Sequence, residues 1–148
     1  KRSGIQVLWQ TGKFYYEDLK QYNSDTIKVT DFIGDMNKAY AMADVIVSRA
    51  GALSISELSI VGKPCILVPS PNVAEDHQTK NARALSEKSA AWMVKDMDAP
   101  QDLVQKALEL LNDKAAQEVL CKNIRSFSKP DATERIADKV VEIVNTVK

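Results

Sequence analysis

Short runs of β-branched and other apolar residues alternate with longer amphipathic stretches along the chain. Ile5–Trp9, Ile27–Phe32, Val45–Ser48, Cys65–Val68 and Ala91–Val94 predict strands. Several are nearly continuous in apolar residues, as strands covered on both faces are. Between them, Met36–Ala43, Ser54–Val61 and Asp76–Lys88 predict helices, and Ile55, Leu58 and Val61 give the second its apolar face. This alternation predicts βα units and a parallel sheet. The last third has no strands. Asp102–Leu111 gathers Leu103, Val104, Ala107, Leu108 and Leu111 on one helical face, with Pro100 just before it and Asp102 at or near its first turn. A further helix is expected over Lys114–Arg125. A last one starts at Pro130–Thr133, with Ile136, Val140, Ile143, Val144 and Val147 as its stripe. The expected fold is a single α/β domain over residues 1–148: a Rossmann-like parallel sheet, flanking helices and a helical C-terminal tail.

Composition narrows the field of functions. The 148 residues suit one domain with a proper core. Twenty basic residues balance twenty acidic ones, which argues against broad nucleic-acid binding, since that needs clustered positive charge. No apolar run approaches the roughly 20 residues that cross a bilayer. Lys1 and Arg2 lead into a short strand-like run, so no signal peptide is expected at this end. His77 is the only histidine, which excludes a multi-histidine metal site within the chain. Cys65 and Cys121 form no metal pattern. Cys65 reads as a small buried hydrophobe, a disulfide stays open, and a reducing cytoplasm is the simplest setting.

Ligands of open parallel sheets bind beyond the carboxyl ends of the strands, so the loops there carry the candidate chemistry. The loop Ser48–Glu57 runs from a buried strand into a helix. Gly51 permits a sharp turn and close approach to a ligand, and the small residues around it leave unpaired amides at the helix N-terminus that suit a phosphate. Glu57, about one turn in, suits a ribose diol. The same residues also read as a capped βα turn, with Ser54 as N-cap and Glu57 completing a capping box. The loop Pro69–Ala82 offers His77, Gln78 and Asn81, whose hydrogen-bonding groups suit sugar hydroxyls. They also read as a solvated helix face, and His77 as a general base or a helix-start residue. In Thr30–Met36, Phe32 and Ile33 either wall a planar base or pack into the core.

Taken jointly, these stretches resemble the donor-binding, C-terminal half of the MurG family of bacterial cell-wall glycosyltransferases. Trp9–Lys13, Phe32–Met36 with Ala39-Tyr40 and Ala43-Asp44, Ser48–Glu57 with Gly62-Lys63-Pro64, Asp76–Ala82 and Pro130–Arg135 carry the resemblance. It implies the C-terminal half of a two-domain GT-B fold that binds UDP-GlcNAc and passes GlcNAc to the lipid-linked muramyl-pentapeptide precursor of peptidoglycan. It further implies uracil against the backbone of Phe32 and Ile33 with Met36 nearby. Diphosphate would lie on Arg49–Ser54, ribose on Glu57, and GlcNAc hydroxyls on His77 and Gln78, with Asn81 supporting that helix start. The implied reaction is an inverting displacement without covalent intermediate, metal or cofactor. The lipid-linked acceptor and the catalytic base belong to an N-terminal half that is absent here, so no catalytic residue is expected in this chain, and the chain alone should be inactive. The implied setting is peripheral, on the cytoplasmic face of the inner membrane.

One departure stands out. The family's C-terminal half opens with a strand and a Gly-Gly-Ser-type loop, and this chain starts at what reads as the following strand. It is therefore expected to be a fragment whose missing strand would be central in a 3-2-1-4-5-6 order. Re-pairing of strands or self-association would then compensate. Two other readings stay in view: another GT-B nucleotide-sugar enzyme, such as a different glycosyltransferase or a UDP-GlcNAc 2-epimerase, and a flavodoxin-like signalling module. For the latter, Asp31 and Asp44 make no convincing acidic pocket.

Overall fold

The computed structural model describes residues 4–71 and 76–146. Asn72 of the second candidate loop and Val147 of the last apolar stripe lie outside the described residues. The chain divides into two compact units, Lys1–Ala43 and Asp44–Lys148.

The first unit is a small βαβα piece. Strands β1 (Val7–Gln10) and β2 (Ile27–Thr30) pair in parallel, with Val7 opposite Ile27 and Gln10 opposite Thr30. Helix α1 (Lys13–Leu19) and a 3-10 turn at Lys20–Tyr22 make the crossover, and α2 (Met36–Met42) follows β2. Side chains of the turn fix where β2 begins: Asn23 Oδ1 accepts from Val29 N at 2.8 Å, and Ser24 Oγ from Ile27 N at 3.2 Å. Val29 is buried, whereas all four residues of β1 are exposed. Asp35 caps α2 by accepting from Lys38 N at 3.1 Å and pairs with Lys38 Nζ at 2.9 Å. These contacts, the side-chain one first, hold the Asp35 carboxyl below its ordinary range.

The second unit carries the larger core. Strands β3 (Ile46–Ser48), β4 (Cys65–Leu67) and β5 (Trp92–Met93) form a parallel sheet in the order β3-β4-β5. Central β4 has no exposed residue, as its unbroken apolar run predicts. Ile66, Val68, Val94, Leu110 and Leu120 pack together beneath Leu103, Ala107 and Ala116. Each large apolar side chain buried there contributes about 1.5–3 kcal/mol over an exposed one. Helices α3 (Ala52–Val61), α4 (His77–Ser86), α5 (Ala99–Asn112), α6 (Lys114–Arg125) and α7 (Ala132–Thr146) complete the unit. Pro100 lies inside the first turn of α5 rather than before it, where its missing N–H costs nothing. Asp113 caps α6 by accepting from Ala116 N at 2.9 Å. Burial, and secondarily the nearby Cys121, push the Cys65 thiol up to about 12, and both cysteines are free.

The fold is the expected one, parallel sheets flanked by helices with a helical tail, though the five strands form two separate sheets of two and three strands. Every predicted strand and helix has its counterpart: the strands are a residue or two shorter, whereas α3 and α5 begin two and three residues earlier than expected. Helix α1 was not anticipated. It buries none of its residues and has no side-chain cap, so neither periodicity nor a capping signal marks it. Along α7, Ile136, Val140, Ile143 and Val144 are exposed. Among the described residues no helix is long and apolar enough to cross a membrane.

Candidate functional site

The candidate residues fall in both units. In the first, the segment after β2 carries Phe32, Ile33 and Met36. Phe32 is exposed, Ile33 half-buried, and Met36 opens α2. The backbone here is largely engaged already. Phe32 N donates to Asp31 Oδ1 at 2.8 Å, Phe32 O accepts from Thr30 Oγ1 at 2.9 Å, and Ile33 N donates to Gln10 Oε1 at 2.8 Å. The Ile33 carbonyl has no hydrogen-bond partner among the described residues. Gln10, within the Trp9–Lys13 stretch but not among the site residues expected from the sequence, ends β1 opposite Thr30 and reaches Ile33 across 23 residues.

In the second unit, the loop after β3 leads directly into α3. The helix starts at Ala52, with Gly51 as N-cap and no side-chain cap. The capping box of Ser54 and Glu57 is therefore not formed, because Ser54 is already the third helical residue. Ile55 N is the first amide bonded into the helix, to Gly51 O at 2.9 Å. The amides of Ala52, Leu53 and Ser54 have no partner among the described residues. Ala52 and Leu53 are exposed, Leu53 to 82%. Uncapped amides and the positive end of the helix dipole make such a terminus receptive to an anion. Gly51 has an ordinary φ of −67°, so no left-handed turn requires glycine there. A Cβ would meet only Ser54 Oγ, at 3.7 Å, which leaves that face open to a ligand. Glu57 is exposed in the second turn of α3, about 8 Å along the axis from Ala52.

Helix α4 braces this loop. Gln78 Oε1 accepts from Ala50 N at 3.2 Å and from Ser70 N at 2.9 Å, so one carboxamide ties the ends of β3 and β4 together. Its Nε2 group has no hydrogen-bond partner among the described residues. Asn81 Nδ2 donates to Ala50 O at 3.1 Å, and Ala50 itself is fully buried. His77 is the exposed first residue of α4, behind Asp76 in the left-handed region at φ 54°. Arg49 donates through Nη1 to Val68 O at 3.3 Å and forms an ion pair with Asp96, a second residue that sequence reasoning missed. Two open concavities, one along α7 and one lined by Trp92, Ala116 and Leu120, contain none of the candidate residues. Amide recognition at a helix end does not require an enclosed cavity, so the strand-end loops remain the better candidate. Among the described residues, no group of three or more His, Cys, Asp or Glu is arranged to hold a metal ion.

Comparison with known proteins agrees with this architecture. The model of the "Glycosyltransferase family 28 C-terminal domain" matches residues 1–136. A Cytophaga hutchinsonii protein named UDP-N-acetylglucosamine--N-acetylmuramyl-(pentapeptide) pyrophosphoryl-undecaprenol N-acetylglucosamine transferase is 82% identical over 146 residues, which are 99% of this chain and 40% of that protein. A Parabacteroides distasonis protein of the same name is 50% identical over 97% of this chain and 40% of its own length. The crystal structure of Acinetobacter baumannii MurG superposes with a TM-score of 0.80 at 30% identity, over 93% of this chain and 41% of that one. A glycotransferase of kitacinnamycin shares the fold, with a TM-score of 0.68 at 21% identity over 93% of this chain and 34% of that one. The chain thus spans about 40% of the length of the curated relatives it matches. With the matching model covering nearly the whole sequence, the chain belongs to the family of glycosyltransferase family 28 C-terminal domains.

Proposed function

We propose that this chain is the UDP-GlcNAc-binding part of a transferase that adds GlcNAc to the lipid-linked muramyl-pentapeptide precursor of peptidoglycan. The observation that carries the proposal is the uncapped start of α3 beyond β3, braced by Gln78 and Asn81. The diphosphate would lie on the amides of Ala52, Leu53 and Ser54, beside Arg49, Ala50 and Gly51. Glu57 would accept from the ribose hydroxyls. Gln78, through its Nε2, and His77 would meet the GlcNAc hydroxyls, with Asn81 holding the loop. Phe32, Ile33 and Met36 would receive the uracil. Its N3–H is a donor, and the open Ile33 carbonyl is the matching acceptor.

The reaction would be a displacement with inversion. An acceptor oxygen bonds to the anomeric carbon as the bond from that carbon to the UDP oxygen breaks, and the acceptor proton passes to a base. Oriented amides and the α3 dipole would stabilise charge building on the departing diphosphate. Acceptor and base belong, in this reading, to the part of the relatives' length that this chain does not span. The chain alone is then a binding unit without turnover, and the whole protein works at the cytoplasmic face of the inner membrane without crossing it. Self-association forms part of the proposal, because β1 and β3 each leave one edge unpaired among the described residues.

The test is a titration of the chain with UDP-GlcNAc and with ADP-glucose, followed by NMR and repeated with Glu57→Ala. Selective UDP-GlcNAc binding that weakens in the variant supports the reading. Equal binding of both nucleotides would overturn the uracil assignment and favour another nucleotide-sugar enzyme.

A further inference from the structure

The carboxyl end of the three-stranded sheet carries an ion pair that spans it. Arg49 follows β3, Val68 follows β4, and Asp96 stands three residues beyond β5. Since β4 separates β3 from β5, the outer strands are about 10 Å apart. The Arg49 side chain therefore reaches across the end of β4 to meet Asp96, bonding the Val68 carbonyl at 3.3 Å on the way. Both contacts use Nη1. Its two hydrogens are spent, and the Nε and Nη2 hydrogens have no hydrogen-bond partner among the described residues. Those two groups form the edge of a guanidinium that grips an oxyanion with two parallel hydrogen bonds.

We infer that Asp96 is a positioning residue for diphosphate recognition: it anchors Arg49 by Nη1 so that the Nε–Nη2 edge is held ready for a phosphate oxygen of the donor. The inference rests on the donor-site reading above and adds a residue to it. An ion pair with this much exposure contributes little to folding, so its use lies in orientation. A free arginine side chain would have to surrender much of its rotamer freedom on binding, whereas an anchored one has already done so.

The experiment titrates the 148-residue chain with uridine and with UDP, and takes the ratio of the two dissociation constants as the contribution of the diphosphate. Asp96→Asn also removes a negative charge, which on its own would favour the diphosphate, so loss of the anchor should show as a net fall in that ratio of up to about tenfold, the scale of one charge-assisted hydrogen bond, with uridine affinity unchanged. Asp96→Glu should restore most of the ratio. Arg49→Gln should show the same loss, and the double variant no more than the single ones. An unchanged ratio in Asp96→Asn beside a reduced one in Arg49→Gln would overturn the inference while leaving the donor site standing. Parallel loss of uridine and UDP affinity would also overturn it, as the mark of a merely structural role. If the unaltered chain bound UDP no more tightly than uridine, the phosphate-loop reading itself would fall, and the role of Asp96 with it.

Discussion

Asn81 donates from Nδ2 to the carbonyl of Ala50 at 3.1 Å, joining α4 to a loop 31 residues earlier in the chain. Ala50 is fully buried, so this carbonyl has little recourse to water once the amide is gone. Asn81→Ala should therefore cost about 1–3 kcal/mol, the penalty of stranding a buried acceptor. Urea unfolding followed by circular dichroism measures it. A loss below about 0.5 kcal/mol, the usual scale of a neutral surface change, would mean that the loop holds itself without α4.

Gln78 separates bracing from recognition within one side chain. Gln78→Glu retains an oxygen that accepts from Ala50 N and Ser70 N, and it replaces the Nε2 donor, which has no partner among the described residues. Stability should change little. Affinity for UDP should fall somewhat, because a negative charge now stands near the diphosphate loop. Affinity for UDP-GlcNAc should fall further, by about tenfold relative to UDP, because only the sugar uses the lost donor. Equal losses for the two ligands would remove Gln78 from the sugar contacts.

Gly62 closes α3 in the left-handed region, at φ 66°, with its N–H bonded to Leu58 O at 2.9 Å. A Cβ here would also collide with the side chain of Arg125 on α6. Gly62→Ala should destabilise the chain by about 1–2 kcal/mol from backbone strain alone, with displacement of Arg125 added to it. Pairing it with Arg125→Ala should recover the second part and leave the first. Full recovery in the pair would show that the collision, and not φ, makes glycine necessary.

What could be read in the sequence was whatever short-range physics writes into it. The buried run Cys65–Val68 announced β4, and the apolar spacing through Leu103, Ala107 and Leu111 announced α5, although the residue that α5 buries is Leu110, outside that spacing, and Val104 within it is exposed. Helix α6 came out with its expected ends, because Asp113 is a local cap. The bracing of the loop after β3 was not legible, since Gln78 reaches Ala50 across 28 residues and Arg49 reaches Asp96 across 47. Those tertiary bonds also explain why the Ser54–Glu57 capping pattern misled. With both backbone polar groups of Ala50 held by α4, the chain turns into α3 at Ala52, and Ser54 has no terminus left to cap.

That account makes Ser54→Ala a discriminating variant. A functioning N-cap loses about 1 kcal/mol on this change, whereas an interior helical serine replaced by alanine gains slightly from propensity. Here the stability should hold or rise. UDP affinity should be little altered as well, because the proposed phosphate contact uses the Ser54 amide and not its hydroxyl. A loss near 1 kcal/mol would show that the helix begins at Ser54 in solution.

Cys65 offers a test of the core through pH. Its thiol is pushed up to about 12 from an ordinary 9.0, chiefly because burial in β4 penalises the thiolate. The folded chain thus holds this proton more tightly than the unfolded chain does. The resulting stability is fully present below pH 9 and is lost progressively as pH rises from about 9 toward 12, where the unfolded state alone gains from releasing the proton. Tyrosines and lysines titrate in the same range, so the informative quantity is the difference between the parent chain and Cys65→Ala. The variant should be less stable at pH 8, through the cavity it leaves beside Ile66 and Leu67, and the gap should narrow as pH climbs past 9. The same burial predicts that a maleimide modifies Cys65 at neutral pH only at the rate of unfolding, while half-buried Cys121 reacts sooner. A pH-independent gap, or prompt modification of Cys65 in the folded chain, would show that β4 admits water to its thiol.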